Sequence, residues 1–318
     1  MKRTIIIATA LLLLQIGLAV GLNLGNSRKD LASPDTSFLG LAPDAVTAID
    51  ITGPEKDRIV LQKSSAGWIL PDSFNAPVNP EQIRALLERL AALKQGFAVA
   101  TTAEAAKRFK VADDLFQRHV LVKEGDRLAA DFYIGTSPGF RQIHARKAGS
   151  ENVVAVELST FELETGADQW LDKNMFKIKE EDIEAISFAE FTLQKKDNGW
   201  QLEGLSEGQA TDVKAAGDLV TKVSGLTVAT VLKPQEAVPL FAGAPALQFT
   251  VKRKGGGAAE FKLAKAAEGD SYVLKQSERD LYCKVHSLQV EGLLKANRGS
   301  LIAKEKAAEP EKTADDGK

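Results

Sequence analysis

The sequence predicts an α+β protein: two tandem repeats of an antiparallel sheet packed by a long helix, preceded by one N-terminal transmembrane helix. Three observations predict it. A short stretch is used twice: Ile59–Leu70 reads IVLQKSSAGWIL and Phe191–Leu202 reads FTLQKKDNGWQL, six identities in twelve positions, with Trp68 and Trp200 132 residues apart. Such self-similarity marks a structural unit built twice. Short apolar runs bounded by Gly, Pro, Asn and Asp read as strands, and each unit adds one long stripe of helical period. Finally, Thr4–Ser27 carries no charge for 24 residues, enough to cross a bilayer as a helix.

Taken in order, the chain begins with the basic Met1-Lys2-Arg3, and residues 1–25 read as a signal anchor. Ala19-Val20-Gly21 offers a small-x-small cleavage site, but the uncharged run exceeds the usual signal length, which favours an uncleaved anchor. Lys2 and Arg3 precede the span while Arg28 and Lys29 follow it. The terminal amine tips this balance, so the N-terminus is expected inside and the bulk of the chain outside the cytoplasm. Residues 26–43 read as a linker.

The first unit is expected over 44–176. Val46, Ile49 and Ile51 open a strand, Thr52–Arg58 is a loop, Ile59–Lys63 returns, and Ser64–Gly67 turns into Trp68-Ile69-Leu70. Asn79, Pro80 and Gln82 announce a helix start. Ile83, Leu86, Leu87, Leu90 and Leu93 form its apolar stripe, with Gly96 expected as a left-handed cap. Phe97–Ala100 is extended and Ala103–Phe109 a short helix. Val120–Lys123 pairs with Leu128–Gly135, and Ile143–Arg146 with Val153–Glu157. Phe161–Phe176 closes the unit with a helix around Trp170.

The second unit, 177–300, repeats the plan. Ala45–Ile51 matches Asp182–Phe188 at an offset of 137, whereas the tryptophans are offset by 132. The first hairpin loop has seven residues (Thr52–Arg58) and the second two (Ala189-Glu190), which accounts for the change. Asp212 caps a second helix with Val213, Ala216, Leu219, Val220 and Val223 inward, ended by Gly225. Leu247–Lys252 pairs with Glu260–Leu263, Tyr272–Lys275 with Leu281–Val285, and Ser287–Lys295 closes as a helix. Residues 301–318 lack an apolar stripe and read as a disordered tail.

No reactive constellation emerges. A net charge of −2 leaves no nucleic-acid footprint, and the single cysteine, Cys283, excludes an internal disulfide and a Cys-based zinc site. Cys283 alternates with Leu281 and Val285 and reads as core. His119, His144 and His286 lack i, i+4 spacing, so a metal site would need them to converge from separate strands. Ser137 sits in Gly-Thr-Ser-Pro-Gly, a turn and not a nucleophile elbow. Gly255-Gly256-Gly257 reads as a hairpin tip. Asp113-Asp114 and Glu180-Glu181-Asp182 read as solvated acidic surface. Trp68 and Trp200 could stack a ligand, but residues that recur with a repeat serve the fold. No catalytic, cofactor-binding or metal residue is nominated.

The Val-x-x-Ile-x-Ile strand, the Leu-Gln-Lys…Gly-Trp-x-Leu hairpin, the Asn79–Ile83 helix start, Phe132–Gly135 and the Trp170–Lys173 to Ile186 junction resemble the bacterial domain-of-unknown-function 4340 family. The second unit departs from the first in carrying Ala264 where the first has Gly135. The resemblance implies an envelope protein, often associated with gliding-motility-type ABC transporter auxiliary proteins. The expectation is therefore a non-enzymatic accessory or scaffold protein of a cell-envelope complex, single-pass in the inner membrane, with protein partners. The alternative is an envelope hydrolase or small-molecule-binding sensor with its site between the repeats.

Overall fold

The strand Ala48–Thr52 (β1) holds the middle of the first sheet, hydrogen-bonded on both edges. The computed structural model that shows this describes residues 36–197 and 199–303, together with Gln15. The rest of the uncharged N-terminal run, residues 26–35 of the expected linker and residues 304–318 of the expected tail lie outside the described residues. The protein is a mixed α/β chain dominated by antiparallel sheets, with few helices. It forms two compact units. One comprises the chain to Asp72 with Pro80–Trp170, the other Ser73–Asn79 with the chain from Leu171.

In the first unit, β1 pairs antiparallel with β2 (Arg58–Ser64), which turns into β3 (Gly67–Leu70). Thr52 still pairs with Arg58, so the loop is Gly53–Asp57, one residue narrower at each end than the sequence suggests. The next strand, β4 (Ala76–Pro77), is counted with the second unit. Helix α1 (Pro80–Ala92) buries Ile83, Leu86, Leu87 and Leu90, and Leu93 just beyond it. Each such side chain contributes roughly 1.5–3 kcal/mol of burial. Gly96 keeps a negative φ and makes no left-handed cap. Instead Leu93 O accepts from Phe38 N–H at 2.6 Å, which ties the helix end to a distant segment.

That segment corrects the linker. Phe38 is buried edge-on against Phe132, ring centroids 6.2 Å apart, so residues 36–43 belong to the first unit. A lone aromatic among turn residues gives no periodic signal, which is why it reads as linker. Beyond α1 come β5 (Ala98–Ala100), α2 (Ala103–Arg108) and a two-strand hairpin, β6 (Val111–Ala112) and β7 (Leu115–Phe116). A meander follows: β8 (Arg118–Glu124), β9 (Arg127–Ile134), β10 (Ile143–Lys147) and β11 (Val153–Val156). Strand β8 returns to β1, Ile49 opposite Val122, and β5 closes the far edge against β11. Period-2 alternation turns Ile49, Ile51, Leu61, Val120, Val122 and Phe132 inward. Helix α3 (Ala167–Trp170) ends on buried Trp170, whose Nε1–H donates to Glu164 O at 2.8 Å.

In the second unit, β12 (Ile183–Phe188) pairs with β13 (Thr192–Lys196), which pairs with β14 (Gly199–Leu202). Asp212 caps α4 (Val213–Ser224), accepting from Ala215 N–H at 2.9 Å, and Gly225 ends it. Ala216, Leu219, Val220 and Val223 are buried, but Val213 is 64% exposed. A helical side chain leans over the turn before it, and at the first position no such turn exists. The chain continues through β15 (Thr230–Leu232), α5 (Pro234–Ala237), β16 (Leu247–Arg253), β17 (Ala258–Lys265), β18 (Ser271–Gln276), β19 (Tyr282–His286) and α6 (Ser287–Leu294). The strand order is β14-β13-β12-β16-β17-β18-β19-β15. Phe188, Phe191, Phe249 and Phe261 stack through its core, with Phe176 edge-on against Phe261. Leu301 is buried and Ile302 bridges to Thr211. The first residues of the expected tail are thus part of the unit.

Gly135 has a steric reason. An added Cβ would lie 1.9 Å from Phe109 O and 2.5 Å from Lys110 O. Gly135→Ala should cost about 3 kcal/mol in urea denaturation, the upper range for overpacking, because the obstacle is backbone. Cys283 is fully buried, and burial pushes its thiol from 9.0 to about 12, against a small opposing effect of Arg279. Its thiol should resist a disulfide reagent at pH 8 until the chain unfolds. The folded chain holds a proton that the unfolded chain releases above its ordinary value. Any stability contribution is therefore complete below pH 9 and lost as pH rises toward about 12.

Candidate functional site

The first unit buries two polar side chains on one strand of its sheet, His144 and Arg146 of β10. The stretch Ile143–Arg146 alternates, and His144 and Arg146 share a face. Both would be solvated if nothing covered them. In the structure α2 and the β6–β7 hairpin do cover them, and Arg146 is only 7% exposed. Its Nε–H donates to Val111 O at 2.6 Å, one terminal nitrogen donates to Ser150 O at 3.0 Å, and the other pairs with the Asp113 carboxylate. The guanidinium also lies 4.9 Å from the centroid of the Tyr133 ring, a cation–π geometry. One side chain thereby fastens the hairpin to the β10–β11 turn.

Beside this clamp is a cavity of about 390 Å³, lined by Ala103, Ala106, Ala112, Lys107, Asp114 and Glu151. Lys107 Nζ lies 2.9 Å from Asp114, and its hydrogen bond holds that carboxyl below the usual range. Burial, with the nearby Asp113 and Asp131 charges, pushes the Tyr133 hydroxyl up. Tyr133 also stacks with His119 at 4.3 Å, and His119 Nε2 lies 2.8 Å from Asp131 Oδ1. The volume suits a small molecule or one large side chain. Its cations are already paired, so the cavity offers shape and alanine side chains for recognition.

The other sequence candidates fall elsewhere. His144 is buried and stacked on Phe109. Its Nδ1 lies 2.8 Å from Thr136 O. Thr136 Oγ1 lies 3.0 Å from the same nitrogen, so two oxygens of one residue hold the ring. His286 is exposed at the start of α6. Ser137 Oγ donates to Gly139 O and Gln142 O at 2.7 Å, bracing a turn. Gly255, Gly256 and Gly257 all take positive φ between β16 and β17. Among the described residues no group of three His, Cys, Asp or Glu is placed to hold a metal ion.

The tryptophans are half-buried. Trp68 borders a groove with Pro80, Ile83 and Leu87 of α1. Lys63 stands opposite Trp68 and Lys195 opposite Trp200. Each lysine donates to a backbone carbonyl ahead of its unit's first strand, Lys63 to Asp44 O at 3.1 Å and Lys195 to Glu180 O at 2.8 Å. Gly67 and Gly199, before the tryptophans, take φ of 117° and 111°, a region L side chains avoid. The glycine and the lysine of each copy thus serve the backbone. A family model that begins at the first of these tryptophans matches the chain over residues 68–245. The chain belongs to the domain-of-unknown-function family DUF4340. Comparison with curated proteins finds no match, and comparison with solved structures finds none.

Sequence reasoning about this DUF4340 chain missed Arg146, the β6–β7 hairpin and Asp113 as its partner. The available signal was Lys110–Phe116, two apolar pairs around Asp113-Asp114, opposite a strand in which Arg146 follows Ile143 and Ala145. Arg146→Met should lower stability by about 2–4 kcal/mol in urea denaturation, since Val111 O and Ser150 O lose their donor. Asp113→Asn, at the exposed end of the pair, should cost under about 1 kcal/mol.

Proposed function

We propose that this chain is a membrane-anchored, extracytoplasmic accessory or scaffold subunit of a cell-envelope complex, built from a tandem duplication and acting by protein contact. The single observation that carries the reading is the uncharged Thr4–Ser27 run after a basic start, ahead of two sheet units. Among the described residues no helix is long and apolar enough to cross a membrane. The anchor is therefore argued from the sequence.

The duplication is supported by strand order. In the first unit the order β3-β2-β1-β8-β9-β10-β11-β5 has the same chain logic as β14-β13-β12-β16-β17-β18-β19-β15 in the second. Phe38 on Phe132 and Phe176 on Phe261 are matching edge-on plugs. Family membership adds the expectation of an ABC-transporter-type assembly as the partner complex. A second reading, small-molecule sensing, is supported by the cavity beside Arg146. It would show as ligand-dependent protection in a thermal-shift screen.

The proposal expects the full chain to stay with membranes through alkaline carbonate extraction. Leu12→Arg with Leu13→Arg should release it, each charge costing about 3 kcal/mol at the centre of a span. Cross-linking in native membranes should repeatedly capture the same envelope protein. Release of the wild-type chain by carbonate, or no reproducible cross-link, would count against the reading.

A further inference from the structure

Strand register gathers several segments at one end of the first sheet. Ile143, at the start of β10, pairs with Val156, at the end of β11, and Ala98, at the start of β5, pairs with Val154. The residues continuing those strands emerge together: Phe140–Gln142 before β10, Glu157–Glu162 after β11, and Gly96-Phe97 before β5. The first two segments line one cavity of about 290 Å³ with Arg89 of α1. Thr36 arrives at this same end, its carbonyl accepting from Gln95 N–H at 2.9 Å.

This end exposes two large aromatics that the fold does not use. Phe140 is 87% exposed and Phe161 82%. Neither sits on a loose loop. Ser137 Oγ braces the turn that carries Phe140, and Gly139 bridges to Gln142. A capping box between Ser159 and Glu162 fixes Phe161. Phe97 is half-exposed beside them. Two rigid turns presenting phenylalanines outward forgo roughly 1.5–3 kcal/mol of burial at each residue. Arg141 lies over the Phe140 ring at 5.1 Å, and Arg89 lies 3.4 Å from Glu162. With Glu157 also present, the two arginines and two glutamates balance.

We propose that this end of the first unit rests on the lipid bilayer, with Phe140 and Phe161 inserted at the headgroup level and Arg141 reaching to phosphates. The inference rests on the anchor reading above. Eight residues separate Ser27 from Thr36, which holds Thr36 within roughly 30 Å of the membrane surface. Among the possible occupants, the bilayer is the one that the chain itself brings to this end. Exposed aromatics flanked by arginine stems suit the interface, where apolar groups sink about 5–10 Å and cations stay wet. Because the local charges balance, contact should not require anionic lipid.

The test uses the full chain reconstituted into phosphatidylcholine vesicles. Phe140→Cys, Phe161→Cys and, at the far end of β9, Leu128→Cys each carry a polarity-sensitive fluorophore. Buried Cys283 stays unlabelled. The expected result is blue-shifted emission at 140 and 161, with at least about half lost to a lipid-borne quencher, and neither effect at 128. If the chain is retained through carbonate but both positions stay open to aqueous iodide, this inference fails and the anchor stands. Shielding from iodide without lipid quenching would assign the face to a protein or a second copy and overturn the bilayer. A chain not retained by the vesicles overturns both readings.

Discussion

Hydrogen bonding of β1 along both edges is the interaction on which the first unit depends. Its near edge takes β2, a few residues on, while its far edge takes β8, so that Ile49 meets both Leu61 and Val122. The chain between those partners adds β3 to one side of the sheet and β5 to the other, and carries α1, α2 and the β6–β7 hairpin, which places the helix stripe and the Arg146 clamp. A strand paired on both sides must be apolar on its buried face and tolerant on the other, and β1 meets this with Ile49 and Ile51 inward and Asp50 outward, paired with Arg58. In the second unit β12 plays the same part between β13 and β16.

The clamp shows why a site can be invisible in sequence while its strand is plain. Arg146 and His144 alternate with Ile143 and Ala145, which reads as an ordinary half-solvated strand. What buries them is a hairpin whose strands are two residues each, too short for any periodicity. Asp113-Asp114 read as solvated surface, and Asp113 is indeed largely exposed while its oxygen meets Arg146. The recurrent Gly-Trp hairpin was legible for the opposite reason. Its glycine answers to a backbone need within the turn, a positive φ, and local needs leave local signatures.

The two proposals join at the described stretch that begins at Thr36. Phe38 is a core residue drawn from a stretch with the composition of a linker, and its plug beneath Phe132 fixes where the preceding chain departs. The departure point lies at the sheet end that also carries Phe140 and Phe161. An anchor at one end of a short connection and unpaired aromatics at the other form a consistent arrangement.

The sequence by itself determined the strands that alternate, the two helical stripes, the cap at Asp212, the burial of Cys283 and membership of the DUF4340 family. These depend on contacts between near neighbours or on a face whose period is written in the residues. Tertiary structure decided the rest: Phe38 as core, Val213 as surface, Gly135 as a point of backbone contact with Phe109, Leu301 as a closing residue and Arg146 as a clamp. Val213 apart, each depends on a segment distant in the chain coming to rest against it, and no window of sequence contains both partners.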